Sequence, residues 1–293
     1  RKRDKMPTGA VAGFCNILNK LLNDVGPTGH MAVLFDAGRK TFRNEIYPEY
    51  KAHRPPPPED LIPQFELIRQ ATRAFNVASI DRPGFEADDL IASYARAGRD
   101  AGYTVVIISS DKDLMQLIEP GISMMDPLKN RAIGEEQVRE KFGVGPDKMI
   151  DLQALAGDST DNVPGVPGIG VKTAAELINT YGGLDAVLAR VEEIKQPKRR
   201  QTLIDNADNA RISRDLVTLR QDLALEDSLE ALRIQPLDPS VLYPFLEDLE
   251  FGSLLNRLRA GQSTDGKSVG GRGLPTVAPA ASASIPAPQT RDA

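Results

Sequence analysis

Apolar positions recur at helical spacing from residue 8 to 24, where Val11, Phe14, Leu18, Leu21 and Leu22 mark one face of a predicted helix. MAVLFD follows as a short apolar run and predicts a strand closed by Asp36. The next stretch, TFRNEIYPEYKAHRPPPPEDL, is charged and proline-rich, and Pro55 to Pro58 break any helix there. Helical spacing resumes in LIPQFELIRQATRAF. GFEADDLIASYARAGRDAG predicts another helix, with Leu90, Ile91, Tyr94 and Ala95 as its apolar stripe and Gly102 as its stop. YTVVIISSD is a β-branched run that ends at Asp111. Strand, helix, strand in this order predicts an α/β fold with a central, mainly parallel sheet flanked by helices.

The second half reads as helical. GPDKMIDLQALAG leads into a glycine-proline turn, PGVPGIG, and then into VKTAAELINTYGG. Leu242, Phe245, Leu246, Leu249 and Phe251 outline a further helical segment near 240–258. Of the 33 residues beyond 260, 19 are Gly, Pro, Ala or Ser, a composition with almost nothing to bury. Three regions are therefore expected: an α/β core over 1–162 with a charged arch at about 43–60, a helical subdomain over 163–260, and a disordered linker over 261–293.

Composition narrows the chemistry. At 293 residues, with 41% hydrophobic and 26% charged side chains, the chain can bury a substantial core. Its one cysteine, Cys15, excludes an internal disulfide and falls on the apolar face of the first helix, where burial is expected. One cysteine and two histidines leave no ordinary zinc site. No apolar run approaches the length of a bilayer span. A net charge of −5 argues against a polyanionic partner, but the acids are bunched.

GFEADDL places Glu86, Asp88 and Asp89 at the start of a helix. One acid caps such an end and a second is ordinary there, so the third needs another reason. Other acids also sit at element ends: Asp36 after the first strand, Asp111 and Asp113 in SSDKD after the second, and Asp158 and Asp161 in GDSTD before the glycine turn. The carboxyl ends of parallel strands share one sheet edge, where ligands bind. Four separated segments can thus deliver eight carboxylates to one place. Two such charges 4 Å apart repel by about 4 kcal/mol at an effective dielectric near 20, so the cluster needs cations. Oxygen ligands without His or Cys select hard ions, Mg²⁺ or Mn²⁺ before Ca²⁺, and the surplus of acids suggests two ions. Removing these eight charges from the net −5 leaves +3, which no longer opposes nucleic acid.

Two other phosphate-handling patterns fail. FDAGRKT has Gly38 where a haloacid-dehalogenase-type phosphatase needs its second Asp. In GVPGIGVKT, Lys172 comes one residue late for a P-loop, and no strand precedes it.

FDAGRKTFR, YKAHRPPPP, GFEADDLIA, SSDKDLMQL and LAGDSTDNVPGVPGIGVKTA occur in an order and spacing that resembles the 5′-nuclease, or flap endonuclease, family. The likeness is greatest to the 5′→3′ exonuclease domains joined to bacterial polymerases, and it covers about residues 6–260. By position it implies a first metal site at Asp36, Glu86, Asp88 and Asp89, with Asp111 and Asp113 nearby. Asp158 and Asp161 match the more distal ligands. Lys51 and Arg54 match the basic pair of the arch over the active site, and Arg43 another functional arginine. PGVPGIGVKT resembles a helix–hairpin–helix. There Gly165, Gly168 and Gly170 would let backbone N–H groups approach a DNA phosphate, with Lys172 and Thr173 at the start of the next helix. A monovalent cation, K⁺, is implied at that hairpin. The basic run KQPKRR reads equally as a DNA contact or a solvated surface.

The resemblance implies a Mg²⁺-dependent nuclease on DNA with a 5′ end or flap. Such a domain would be a cytoplasmic, monomeric unit tethered to a polymerase domain, serving primer removal, nick translation and repair. One departure stands out. Family members begin with an apolar strand ending in Asp-Gly, which supplies a further ligand, whereas this chain starts at Arg1 beyond that point. Reduced activity is expected of a chain without it, and the alternative reading is a non-catalytic DNA-junction-binding module.

Overall fold

A computed structural model describes residues 6–262 and residue 274; the linker expected from 261 lies almost wholly outside these. Helix α1 (Gly9–Val25) leads to strand β1 (Ala32–Phe35) and a single helical turn, α2 (Arg43–Ile46). Turns and extended chain then carry the proline run to α3 (Ile62–Ala74), which returns the chain to β2 (Ala78–Asp81). Helix α4 (Ala87–Asp100) precedes β3 (Val105–Ile108), β4 (Ile122–Asp126) and β5 (Arg131–Ile133).

The expected α/β class, with mainly parallel strands flanked by helices, is found, its strands divided between two small sheets. β1 and β2 form one parallel pair, registering Ala32 with Ala78 and Phe35 with Asp81. β3, β4 and β5 form a second sheet, parallel between β3 and β4 and antiparallel between β4 and β5. No ladder joins β1 to β3, yet α4 packs on both strands and spans the two sheets. The residues of β1 are only half-buried, as strands with an unpaired edge are. β4 escaped the sequence reading because ISMMD is buried at nearly every position and so lacks alternation, and β5 because three residues are too few to show one.

The remaining elements are helical: α5 (Glu135–Phe142), α6 (Met149–Ala156), α7 (Val171–Tyr181), α8 (Leu184–Ala189), α9 (Pro197–Asp205), α10 (Ala207–Val217), α11 (Pro239–Asp248) and α12 (Gly252–Gln262). One hydrophobic core runs from α4, β3 and β4 through α6, α7 and α8 to Ala210 of α10. A second gathers α1, α3, α11 and α12 around Phe75, Leu242 and Leu246. The C-terminal helices thus return to the N-terminal half. The segment expected near 240–258 is divided at Glu250, whose φ of +60° ends α11 before α12 begins. Cys15 is fully buried in the second core, and burial pushes its thiol up to about 12.

The glycine turn between α6 and α7 corrects one expectation about Gly165. It is buried at φ +58°, and a Cβ there would lie 2.4 Å from the backbone nitrogen of Gly157. Its small size serves contact within the chain, not approach by a phosphate. Gly165→Ala should therefore destabilise the fold by more than about 2 kcal/mol in urea melts. Gly13→Ala, at an open mid-helix position, should instead stabilise it by about 0.5–1 kcal/mol.

Candidate metal centre

The N-terminus of α4 shows what each acid of GFEADDL does. Asp89 is fully buried, and its two oxygens accept a bidentate pair from Arg43 at 2.7 and 2.8 Å. They also accept the backbone N–H groups of Glu86 and Arg220. Arg43, 1% exposed, donates further to the carbonyls of Leu216 and Thr218 beyond α10. Two expectations are corrected by this pair. Both oxygens of Asp89 are taken up within the protein, and Arg43, although it lines the cleft, spends its fork on Asp89 and two carbonyls; together they clamp α2, α4 and the end of α10.

Asp36 also departs from the expected ligand set. It is exposed and accepts the N–H of Ala87 at 2.8 Å, capping the first turn of α4 from the end of β1. One oxygen of this acid thus serves the helix end, beside the capping box that Glu86 and Asp89 form. It still confirms that the end of β1 meets the start of α4.

Glu86, Asp88, Asp113, Asp158 and Asp161 line one cleft with Arg43 and Tyr50, floored by Val163, Leu216, Val217 and Leu219. One carboxylate oxygen from each of Asp113, Asp158 and Asp161 lies within 4.8 Å of the others, a spacing that one cation could bridge. Asp111 is exposed at the rim, where its carboxylate accepts the N–H of Asp113 at 3.0 Å.

Basic side chains of the protein offset part of this charge. Lys51 donates to Glu86 at 2.8 Å and lies 3.6 Å from Asp161. Arg54 pairs with Asp161, and Lys112 with Asp158 at 2.8 Å. Lys51 holds a left-handed backbone, φ +55°, fixed by its N–H bond to the carbonyl of Asp161. Strain of that kind at a non-glycine residue persists only where surrounding contacts over-determine it. Tyr50 sits beneath, donating at 3.2 Å to Glu86. Burial, then the field of Glu86, raises its hydroxyl well above the ordinary range, so it stays a neutral donor.

The acids left unpaired show the strain of the cluster. Burial, then Asp111, Glu86 and Asp113, push Asp88 up to about 7. Burial and Asp111 push Asp113 up to about 6, partly offset by a hydrogen bond from Gln153. Asp158 behaves oppositely: burial opposes its charge, but Lys112 and the Thr160 amide outweigh burial and hold it below the ordinary carboxylate range. An all-oxygen cleft whose unpaired members resist ionisation is a fitting cradle for hard divalent ions.

Sequence reasoning missed four participants. Tyr50 and Lys112 adjoin residues it had singled out, and Gln116 and Gln153 are polar positions on otherwise apolar helical faces. The helix–hairpin–helix residues lie apart from the cleft. Gly168, at φ +78°, and Gly170 are exposed, Lys172 is exposed and Thr173 half-buried on the first turn of α7. That turn carries neither an acidic residue nor a side-chain cap, so its N–H groups lack intrahelical partners. In the basic run, Arg199 and Arg200 pair with Glu176 and Glu192.

This acidic cleft on an α/β scaffold has the donor set of a divalent-cation site. The chain belongs to the 5′-3′ exonuclease family. The model for its N-terminal resolvase-like domain matches residues 1–143, and the model for its C-terminal SAM fold matches residues 144–240. The chain is 54% identical over 276 residues to DNA polymerase I of Rhizobium leguminosarum, covering 92% of this chain and 27% of that protein. It is 42% identical over 250 residues to the thermostable DNA polymerase I of Thermus aquaticus, covering 85% of this chain and 29% of that one. The chain thus spans under a third of the length of these relatives. In fold it is similar to T5 5′-exonuclease with bound zinc, at a TM-score of 0.65 and 24% identity over 85% of this chain and 92% of that one. It is also similar to the catalytic core of Rad2 in complex with DNA substrate, at 0.56 and 18% over 84% and 81%.

The raised carboxyls give a stability prediction with a definite sign. Asp88 ionises near its ordinary value when unfolded but near 7 when folded, so its contribution to stability is lost as pH rises through that interval. In EDTA at pH 8, Asp88→Asn should raise the melting temperature, by on the order of 2–4 °C per kcal/mol of repulsion relieved. At pH 4 the variant and wild type should melt together. Added Mg²⁺ should stabilise wild type more than the variant.

Proposed function

We propose that this chain is a divalent-metal-dependent 5′ nuclease that cleaves DNA at a 5′ end or flap beside duplex. The observation that carries the reading is the convergence of Asp113, Asp158 and Asp161, with ligand atoms within 4.8 Å, next to Lys51 and Arg54. Glu86, Asp88 and Asp111 would complete the oxygen donors for two Mg²⁺ ions, with Mn²⁺ as a substitute. When bound, the ions supply Lewis-acid stabilisation of the phosphate and lower the pKa of water at the site.

The chain's own residues do the rest. Lys51 and Arg54 hold positive charge over the acids and, released from them, would stabilise charge building on the scissile phosphate. Tyr50 keeps Glu86 oriented. The exposed first turn of α7, with Gly168, Gly170, Lys172 and Thr173, offers N–H groups and one cation to a duplex phosphate, and a K⁺ ion at the hairpin fits that role. Products would be 5′-phosphorylated mono- or short oligonucleotides. In a longer protein of polymerase I type, the domain would act as a monomer in the cytoplasm, beside synthesis, in primer removal and repair.

The test is cleavage of a labelled 5′-flap duplex with Mg²⁺ or EDTA. Mg²⁺-dependent release of flap products, abolished by Asp113→Asn, is expected. Binding to the junction with no cleavage under any metal condition would favour the non-catalytic module. Lys51→Ala should lower kcat by roughly 10²–10³-fold while leaving duplex affinity nearly intact. Lys172→Ala should do the reverse, weakening binding on every sequence and reducing the slope of log affinity against log salt by about 1.

A further inference from the structure

Gln153 is a buried amide on a helix that otherwise contributes apolar side chains to the core. Its neighbours Leu152, Ala154 and Leu155 are 1% exposed or less, and Gln153 itself is 4% exposed. Its Nε2 donates a hydrogen bond to Oδ1 of Asp113. Its Oε1 is buried and has no hydrogen-bond partner among the described residues. An unpartnered amide oxygen in a core is costly, and methionine of similar shape would avoid that cost.

Gln116 provides an internal comparison. Its amide donates to the carbonyls of Asp113 and Val217 at 2.8 and 2.9 Å, and its oxygen accepts the N–H of Leu219 at 3.1 Å. Both ends are used, and the residue is a strut between the SSDKD loop and the chain after α10. Gln153 uses one end only, and that end touches a carboxylate of the acidic triad. Packing accounts for the first glutamine and not for the second.

We infer that Gln153 is a positioning residue for the cation site: by occupying Oδ1 of Asp113 from behind, it fixes the carboxylate plane and turns Oδ2 toward Asp158 and Asp161. The inference rests on the proposed metal-dependent reading of the cleft. Hydrogen bonds behind a ligand orient it and raise its affinity for the ion, and their loss typically weakens metal binding by about 10–100-fold. The backbone bond from Asp113 to Asp111 and the grip of Gln116 hold the main chain, but neither reaches Oδ1.

The experiment is Mn²⁺ binding to the purified chain by electron paramagnetic resonance, with melting followed in EDTA. Gln153→Met should weaken the tightest Mn²⁺ site by about 10-fold or more while leaving the melting temperature equal or higher. In an Asp113→Asn background the same substitution should change Mn²⁺ affinity less than twofold, because the residue acts through that carboxylate. Gln153→Asn, too short to reach Asp113, should reproduce the loss. Unchanged affinity in Gln153→Met, equal losses in both backgrounds, or unfolding of both variants would overturn the inference. Failure of the wild-type chain to bind Mn²⁺ at all would instead remove the metal-dependent reading beneath it.

Discussion

The buried ion pair between Arg43 and Asp89 is the interaction on which the geometry of the cleft depends. It joins the turn after β1, the first turn of α4 and the carbonyls that close α10. Those three elements carry Lys51, Glu86 with Asp88, and the floor of the cleft at Leu216, Val217 and Leu219. A guanidinium buried to this degree must have every donor engaged, since removing one partner of such a pair costs about 3–5 kcal/mol. The fork of Arg43 meets most of that demand with four hydrogen bonds to a carboxylate and two carbonyls, and Nη1 also lies 3.7 Å from Glu86. Lysine could not, because it lacks the planar pair of donors.

With Asp89 assigned to structure, the rest of the cluster follows from repulsion. Every acid within reach of a basic side chain is paired: Glu86 with Lys51, Asp158 with Lys112, Asp161 with Arg54. Asp88 and Asp113 have no such partner among the described residues, and they are the carboxyls that burial and their acidic neighbours push upward. The division is physical. A site that neutralised all of its acids internally would leave nothing for a cation, and one that neutralised none would disrupt the fold.

Much of this was legible from sequence, and the limits have physical causes. The position of acids at element ends foretold the convergence of Glu86, Asp88, Asp113, Asp158 and Asp161, because strand direction and sheet edge are encoded in local pattern. The separate fates of Asp89 and Asp36 were not legible. A carboxylate at a helix start has the same letter whether it caps, pairs with a buried arginine or faces a cleft, and only the tertiary partner decides. Arg43 looked like a functional cation for the same reason: nothing local to FRNEI reveals that Leu216 and Thr218 will close over it. β4 was hidden by near-uniform burial, β5 by its length of three residues, and the division of the sheets by pairing that no local pattern specifies.

The glutamines mark the boundary of what pattern can convey. Gln116 and Gln153 both interrupt apolar stripes, and a sequence reading has no basis for separating them. The difference is one of satisfaction: Gln116 is partnered at both ends of its amide, whereas Gln153 leaves an oxygen bare against the core. A fold tolerates an unpaired buried acceptor where the matching donor does work that an apolar side chain cannot. Here that donor touches Asp113, the carboxylate that is both crowded by Asp111 and shared with the acidic triad. The departures from ideal packing, charge balance and backbone geometry at Gln153, Asp88 and Lys51 therefore fall around one cleft. Selection for stability alone would have removed each of them separately.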